Sequence, residues 1–300
     1  MSEINGFLLV NKPLNFTSFD VIAKVRKAFN IKKVGHTGTL DPLATGLMVI
    51  GIGRATRFLE FHTGHTKEYE AEITFGSTSE TYDNEGPLTQ LKITNYELRI
   101  EDIKSCIVKN FLGEIEQIPP KYSALKINGE KYCNLTRRGI EVDIEAKKRK
   151  ITIYENDIID FSWPKLKLRI KCSSGTYIRS IAHDLGKTLK CGGYLSGLNR
   201  TMVENFKLED AKKIEDISKN NLLPFDVGLD FKRVNLNKKS VQKLQYGQKL
   251  NLKTLLSESD YNSNLSKIKN DKFVQIYLDN EFQGIAEISG DILKAKKMIV

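Results

Sequence analysis

One carboxylate is a candidate for chemistry because of the loop in which it lies. Asp41 follows the sequence GHTGTL at residues 35–40 and precedes Pro42. These are turn residues, and they predict a loop. An Asp before proline commonly bonds to nearby backbone and shapes the turn. The same group could be a catalytic carboxylate, and the residues alone leave both interpretations open.

Other kinds of site have weaker support. The glycines could suggest a nucleotide loop, but no Gly-Lys-Ser or Gly-Lys-Thr ending follows, and the pair Gly51 and Gly53 lacks a third glycine. His62 and His65 have no cysteine or carboxylate cluster nearby, which is poor spacing for a metal. The sequence therefore predicts neither a cofactor nor a metal.

Regular elements are predicted on both sides of this loop. Residues 6–10 and 47–50 read as buried strands, and Thr17 or Ser18 can cap a helix that has an apolar stripe. Alternation over residues 68–75 predicts a half-buried strand with Tyr69 on its apolar face, and residues 165–172 predict another. A helix then follows, with Gly186 as its stop and an apolar stripe of Ile178, Ile181, Ala182 and Leu185.

The charge of the chain indicates a polyanionic partner. The 300 residues carry a formal net charge of +10, although a basic protein without such a partner is the simpler alternative. Residues 231–300 hold 13 Lys and Arg against 7 Asp and Glu, which is +6 of that excess. The four cysteines form no CxxC pair, so we expect free thiols in a reducing compartment. The sequence shows no signal-peptide pattern and no apolar run of membrane length, so we expect a cytoplasmic protein.

Six sequence blocks, in order across residues 7–201, resemble the bacterial tRNA pseudouridine-55 synthases. The loop around Asp41 resembles the signature of that family, and five further blocks accompany it at residues 12–18, 67–69, 117–124, 172–179 and 198–201. Two positions depart from the family pattern. Asn15 stands where glycine is usual, and asparagine tolerates the left-handed conformation that such a turn requires. Thr136 stands where alanine is common.

The resemblance implies a role for each of seven residues. Asp41 matches the carboxylate that attacks the target nucleotide, at the base or at the sugar. Arg179 matches the arginine that pairs with this carboxylate. Tyr69 and Leu198 match the two sides of a pocket for a flipped uracil, and Tyr69 also matches a residue that could help to remove the C5 proton of the uracil. His36 matches a histidine that enters the T loop. The two supporting residues of the pocket are Lys12 and Tyr177.

The resemblance also implies an architecture and a partner. We expect an α+β fold in which residues 1–230 form a catalytic domain, with a mixed, largely antiparallel sheet and a central cleft. A basic inserted lobe is expected at about residues 105–155. Strand signals at 273–277, 284–288 and 294–300 resemble a small β-rich, PUA-like RNA-binding domain, assigned to residues 231–300. The expected substrate is the T arm of tRNA, bound by a monomer. The alternatives are a synthase that acts on another RNA and a non-catalytic RNA-binding protein.

Overall fold

The computed structural model describes residues 4–64, 66–92, 98–123, 125–127, 129–140, 142–143, 147–257 and 271–299. The strands are β1 (Gly6–Lys12), β2 (Val34–His36), β3 (Ala44–Ile52), β4 (Lys67–Phe75), β5 (Ser77–Ser79), β6 (Leu88–Gln90), β7 (Gly113–Gln117), β8 (Lys126–Ile127), β9 (Glu130–Lys131), β10 (Arg149–Ser162), β11 (Lys165–Cys172), β12 (Gly193–Val203), β13 (Phe206–Lys207), β14 (Lys212–Lys213), β15 (Lys232–Asn235), β16 (Leu250–Asn251), β17 (Phe273–Leu278), β18 (Glu281–Ser289) and β19 (Ile292–Met298). The helices are α1 (Ser18–Phe29), α2 (Ile100–Asn110), α3 (Tyr132–Arg137), α4 (Ile178–Thr188), α5 (Lys238–Gln245) and α6 (Leu252–Ser257). A 3-10 segment spans Gly53–His62.

A ten-stranded sheet organises residues up to about 213. Its order is β14-β1-β3-β12-β4-β11-β10-β7, with β2 added to β3 and β13 added to β12. Only β3 with β12 and β1 with β14 pair in parallel, while the other neighbours are antiparallel. The predicted mixed, largely antiparallel sheet is therefore confirmed.

The polar and apolar alternation of the central strands decides how they pack. In β4 and β11 every second side chain is buried, and the charged residues between them lie on the other face. Helix α1 begins after Thr17, whose side chain accepts a hydrogen bond from the Asp20 amide, and it buries Val21, Ile22 and Val25 against this core.

Two sequence predictions need correction. Gly186 does not stop α4, which continues to Thr188. A Cβ on Gly186 would lie 2.3 Å from the backbone nitrogen of Gly193, so this glycine allows the helix to approach β12 closely.

The expected lobe at 105–155 is not one separate unit. Its first residues belong to α2, and two of its strands, β7 and β10, pair with each other within the main sheet. Ile151 and Ile153 of β10 are buried, so this part of the expected lobe belongs to the core of the main sheet.

A second sheet carries the C-terminal part of the chain. Its order is β15-β17-β18-β19-β16, and it has its own core with α5 and α6. An aromatic cluster joins it to the 3-10 segment of the first part. The ring centroid of Phe58 is 5.8 Å from that of Phe282, and that of Phe61 is 5.6 Å from that of Phe273.

Across the described ranges, no helix is long and apolar enough to cross a membrane. The same ranges contain no group of three or more His, Cys, Asp or Glu that could hold a metal ion.

Candidate active site

A cleft of about 520 Å³ opens between the loop at residues 37–41, the strands β4 and β12, and the start of α4. Five of the seven predicted site residues line it, namely Asp41, Tyr69, Tyr177, Arg179 and Leu198. Lys12 and His36 lie outside its lining.

Hydrogen bonds from Ser18 and Asn15 fix the loop that carries Asp41. The amide of Leu40 donates to Ser18 Oγ over 2.8 Å, and that hydroxyl donates back to the Leu40 carbonyl over 3.0 Å. On the other side of Asp41, the Pro42 carbonyl accepts a hydrogen bond of 2.9 Å from the Asn15 amide. Asn15 adopts φ 65°, the left-handed conformation expected for its position. These bonds fix the backbone immediately before and after Asp41.

Lys12 supports the same loop from within the protein. Its ammonium group is fully buried and donates to the carbonyls of Pro13, Phe16 and Pro42. Burial lowers the pKa of Lys12 to about 8, and the nearby negative charge of Asp41 opposes this shift. Lys12 therefore acts on the loop backbone and does not face the cleft.

Arg179 and Asp41 form an ion pair at the cleft. Arg179 Nε lies 3.0 Å from Asp41 Oδ2. The arginine side chain is 8 % exposed, whereas the aspartate side chain is 39 % exposed. The carboxylate is thus accessible from the cleft, while a rigid, buried guanidinium sets its orientation.

A second carboxylate, which the sequence analysis did not identify, binds Arg179 from behind. Asp83 Oδ2 lies 3.2 Å from Arg179 Nη1, and the Asp83 side chain is 1 % exposed. Thr81 Oγ1 and the Glu85 amide donate to the other oxygen of Asp83. Arg179 also donates to the backbone carbonyls of Thr81 and Tyr122. Every guanidinium nitrogen of Arg179 is therefore engaged.

The wall that β4 and β12 form is aromatic and cationic. Tyr69 of β4 is opposite Arg200 of β12 in register, and both side chains are buried. Arg200 Nε donates to the Leu47 carbonyl over 2.7 Å, and Nη2 donates to the Gly38 carbonyl over 3.2 Å. Burial raises the pKa of Tyr69, and the Arg200 charge partly offsets this rise. Lys67 lines the same wall, and burial, with the Arg200 charge as a smaller cause, lowers its pKa to about 8.

The remaining predicted residues are placed as follows. Leu198 lines the cleft and also a neighbouring cavity of about 750 Å³. The backbone of Tyr177 exchanges two hydrogen bonds with the Gln117 side chain, and the Arg149 guanidinium lies 5.1 Å from its ring centroid. His36 is half-buried in β2 beside the cleft, and burial lowers its pKa.

Comparison with known proteins shows which family the chain belongs to. Residues 26–178 match the model of the TruB family pseudouridylate synthase (N terminal domain). The chain is 41% identical to tRNA pseudouridine synthase B of Clostridium kluyveri, over 99% of this chain and 100% of that protein. It is 44% identical to the protein of the same name from Francisella tularensis subsp. tularensis, over 72% of this chain and 70% of that protein.

A solved structure of an H/ACA RNP bound to a substrate RNA containing 2'-deoxyuridine has a chain of similar fold. Its TM-score is 0.71 at 20% identity, with 98% of this chain and 85% of that chain covered. This likeness concerns the fold alone. The family model and the full-length identity decide the membership: the chain belongs to the TruB family of pseudouridylate synthases.

Proposed function

We propose that this enzyme isomerises the uridine at position 55, in the T loop of tRNA, to pseudouridine, with Asp41 as its catalytic carboxylate. One observation carries the assignment of Asp41. It is the carboxylate in the cleft that is both accessible and oriented by a buried arginine, Arg179. A turn-forming aspartate needs no such partner, whereas a nucleophile has to be held in one orientation.

The reaction explains why an ionised carboxylate is needed. The C1′–N1 bond of the uridine breaks, the uracil turns, and a C1′–C5 bond forms. Asp41 either bonds to C1′ or removes a proton from the sugar, and in both cases it is regenerated at the end. Arg179 balances its charge and fixes its direction, and no redox or metal chemistry is required.

The other cleft residues are assigned to the uracil. A uridine inside a folded loop has to leave its stack to reach Asp41. The ring of Tyr69 offers a stacking surface for the flipped base, and Leu198 is assigned to its other side. The Tyr69 hydroxyl is the candidate for removal of the C5 proton. Tyr177 completes the pocket, and Lys12 supports it through the loop backbone.

His36 and the C-terminal part are assigned to the RNA outside the pocket. The His36 ring would take up the stacking space that the flipped base leaves in the T loop. Residues 231–300 are assigned as a PUA-like domain. Its role would be to bind RNA, because these residues carry +6 of the net charge of +10. We expect the enzyme to act on tRNA as a monomer, in the cytoplasm.

The substitution Asp41→Asn tests the central assignment. It keeps the size of the side chain but removes its charge, so pseudouridine formation in an unmodified T-arm stem-loop should become undetectable. Binding of the RNA should stay equal or tighten slightly, because one negative charge is lost from the cleft. Mapping of pseudouridine at single-nucleotide resolution and a binding titration measure the two effects.

Asp157→Asn is the matched control, because Asp157 is exposed on β10 and does not line the cleft. The control should modify position 55 at the parent rate. An Asp41→Asn enzyme that modifies position 55 at a rate near that of the parent would refute the assignment. Modification at a different uridine by the parent would refute the proposed substrate position.

A further inference from the structure

Arg200 carries a buried positive charge that no carboxylate of the described residues pairs. The residue is 1 % exposed. It donates hydrogen bonds to two backbone carbonyls, those of Leu47 and Gly38, and it also bonds to the neutral hydroxyl of Tyr69. Arg179, by contrast, is buried between two carboxylates. A buried charge without a counter-charge is unfavourable, so a negative charge that arrives or forms in the cleft would be strongly stabilised beside Arg200.

A second cation lies next to Arg200. Lys67 is 8 % exposed and lines the cleft, and the charge of Glu204 partly balances it. The two cations meet at Gly38. A Cβ built there would lie 3.5 Å from Arg200 Nη1 and 3.7 Å from Lys67 Cε. Two cations therefore lie at the wall that holds Tyr69, where the proposed function places the stacked uracil.

The isomerisation creates a negative charge at that place. When the C1′–N1 bond breaks, its electron pair stays on N1, so the uracil leaves as an anion. Asp41 loses its charge in the same step, whether it bonds to C1′ or takes a proton from the sugar. One unit of negative charge thus moves from the Arg179 side of the cleft onto the uracil. When C5 then bonds to C1′, Asp41 recovers its charge or its proton is returned, C5 loses a proton and N1 gains one.

We propose that Arg200 and Lys67 form the electrostatic site that stabilises the uracil anion released from C1′ in this reaction. Donors fixed in advance at the place where charge develops cost no reorganisation during the reaction, and they act more strongly where water is excluded. Arg179 holds the charge before the bond breaks, and Arg200 with Lys67 holds it afterwards. The inference rests on the proposed function, and it holds whether Asp41 bonds to C1′ or takes a proton from the sugar.

A substrate with a better leaving group tests this proposal. A T-arm stem-loop with 5-fluorouridine at the target position releases a more stable anion, because fluorine withdraws electrons from the ring. The loss of the N-glycoside is followed in single turnovers at saturating RNA, by digestion to nucleosides and mass spectrometry. Lys67→Met should slow the uridine substrate by about 100-fold, within the range known for removal of one donor to a developing anion. We expect the loss on the 5-fluorouridine substrate to be about tenfold smaller.

Two further variants separate charge from structure. Arg200→Lys keeps the charge but loses the planar group that bonds to both carbonyls, so its ratio of the two substrate rates should stay close to that of the parent. Lys171→Met is the matched control, because Lys171 pairs with Glu155 over 2.9 Å on β11 and does not line the cleft. It should leave both rates unchanged.

Equal losses on both substrates in Lys67→Met would overturn the proposal, because a purely structural role cannot distinguish the leaving groups. A Lys67→Met enzyme as fast as the parent would overturn it too. A parent enzyme that forms no pseudouridine in the uridine substrate would instead refute the proposed function.

Discussion

The buried carboxylate behind Arg179 provides the sharpest prediction. Asp83→Asn keeps the shape of the side chain. Its one oxygen can still accept from Thr81 Oγ1 and from the Glu85 amide, as Asp83 Oδ1 does. The new amide group then faces Arg179 Nη1, a donor, where Oδ2 had accepted over 3.2 Å. One hydrogen bond between charged groups is removed and two donors meet, which costs about 1.5–3 kcal/mol.

The substitution should affect both folding and catalysis. Arg179 keeps Asp41 and two backbone carbonyls as partners, so the destabilisation should stay below the 3–5 kcal/mol typical of a buried charge left unpaired. We expect the unfolding temperature to fall by roughly 2–5 °C. Arg179 loses one of its anchors, so the direction of Asp41 is less tightly fixed. The single-turnover rate should fall by about 10- to 100-fold, since each tenfold corresponds to about 1.4 kcal/mol.

The assay combines thermal unfolding, a binding titration and single-turnover rates with a T-arm stem-loop at saturation. RNA affinity should change little, because Asp83 is 1 % exposed. Asp102→Asn is the control, since it weakens an ion pair with Arg99 on the exposed end of α2. A rate within twofold of the parent, together with a lowered unfolding temperature, would show that the rear contact of Arg179 serves folding alone. That result would refute the reasoning.

Two further predictions concern the stacking wall and the C-terminal sheet. Tyr69→Phe should bind RNA like the parent and stall if the hydroxyl moves a proton, whereas Tyr69→Leu should lose about 1–3 kcal/mol of binding as well; equal rates in Tyr69→Phe and the parent would exclude the proton transfer. Truncation after Asp230 should lower the unfolding temperature and increase the binding of a hydrophobic dye, because it uncovers Phe58 and Phe61. It should also make the salt dependence of tRNA binding shallower, by about 0.7–0.9 in log–log slope for each phosphate that the protein no longer neutralises. Titrations at several salt concentrations measure that slope, and an unchanged slope would mean that the charges of the truncated segment face solvent.

The central strands were predictable because they alternate. Tyr69 in β4 and Ile170 in β11 are buried partners in register, as the period of two requires. The last two strands at one side of the main sheet, β10 and the edge strand β7, were missed because few of their residues face the core. Ile115 packs at the edge of the core, while the charged Glu114 and Lys150 beside it pair with each other in solvent, so the sequence reads as polar and basic. An edge strand with only one short buried stretch leaves a weak signal.

The residues of the site were predictable to different degrees for a physical reason. The resemblance placed Asp41 and Arg179 together, and the structure has them 3.0 Å apart. Asp83 lies in a segment of turns and polar residues, where a buried aspartate and a solvated one look alike in sequence. Arg200 stands in a strand of mixed pattern, and nothing local indicates that its charge is buried. A weak signal was present, because Arg200 lies two residues after the pocket residue Leu198 on the same strand and therefore near that pocket.

The two buried guanidinium groups at the cleft, those of Arg179 and Arg200, differ in how their charge is compensated. Arg179 is compensated by two carboxylates and is held by bonds at every nitrogen, so it adds orientation and little net charge. Among the described residues, Arg200 is held by two carbonyls and a neutral phenol, and no carboxylate compensates its charge. A catalyst that compensated both arginines would bind the carboxylate well but would give the departing base no counter-charge. One that compensated neither would hold Asp41 too loosely to aim it. In the proposed mechanism, Arg179 therefore orients the group that starts the reaction with a charge, and Arg200 faces the group that acquires one.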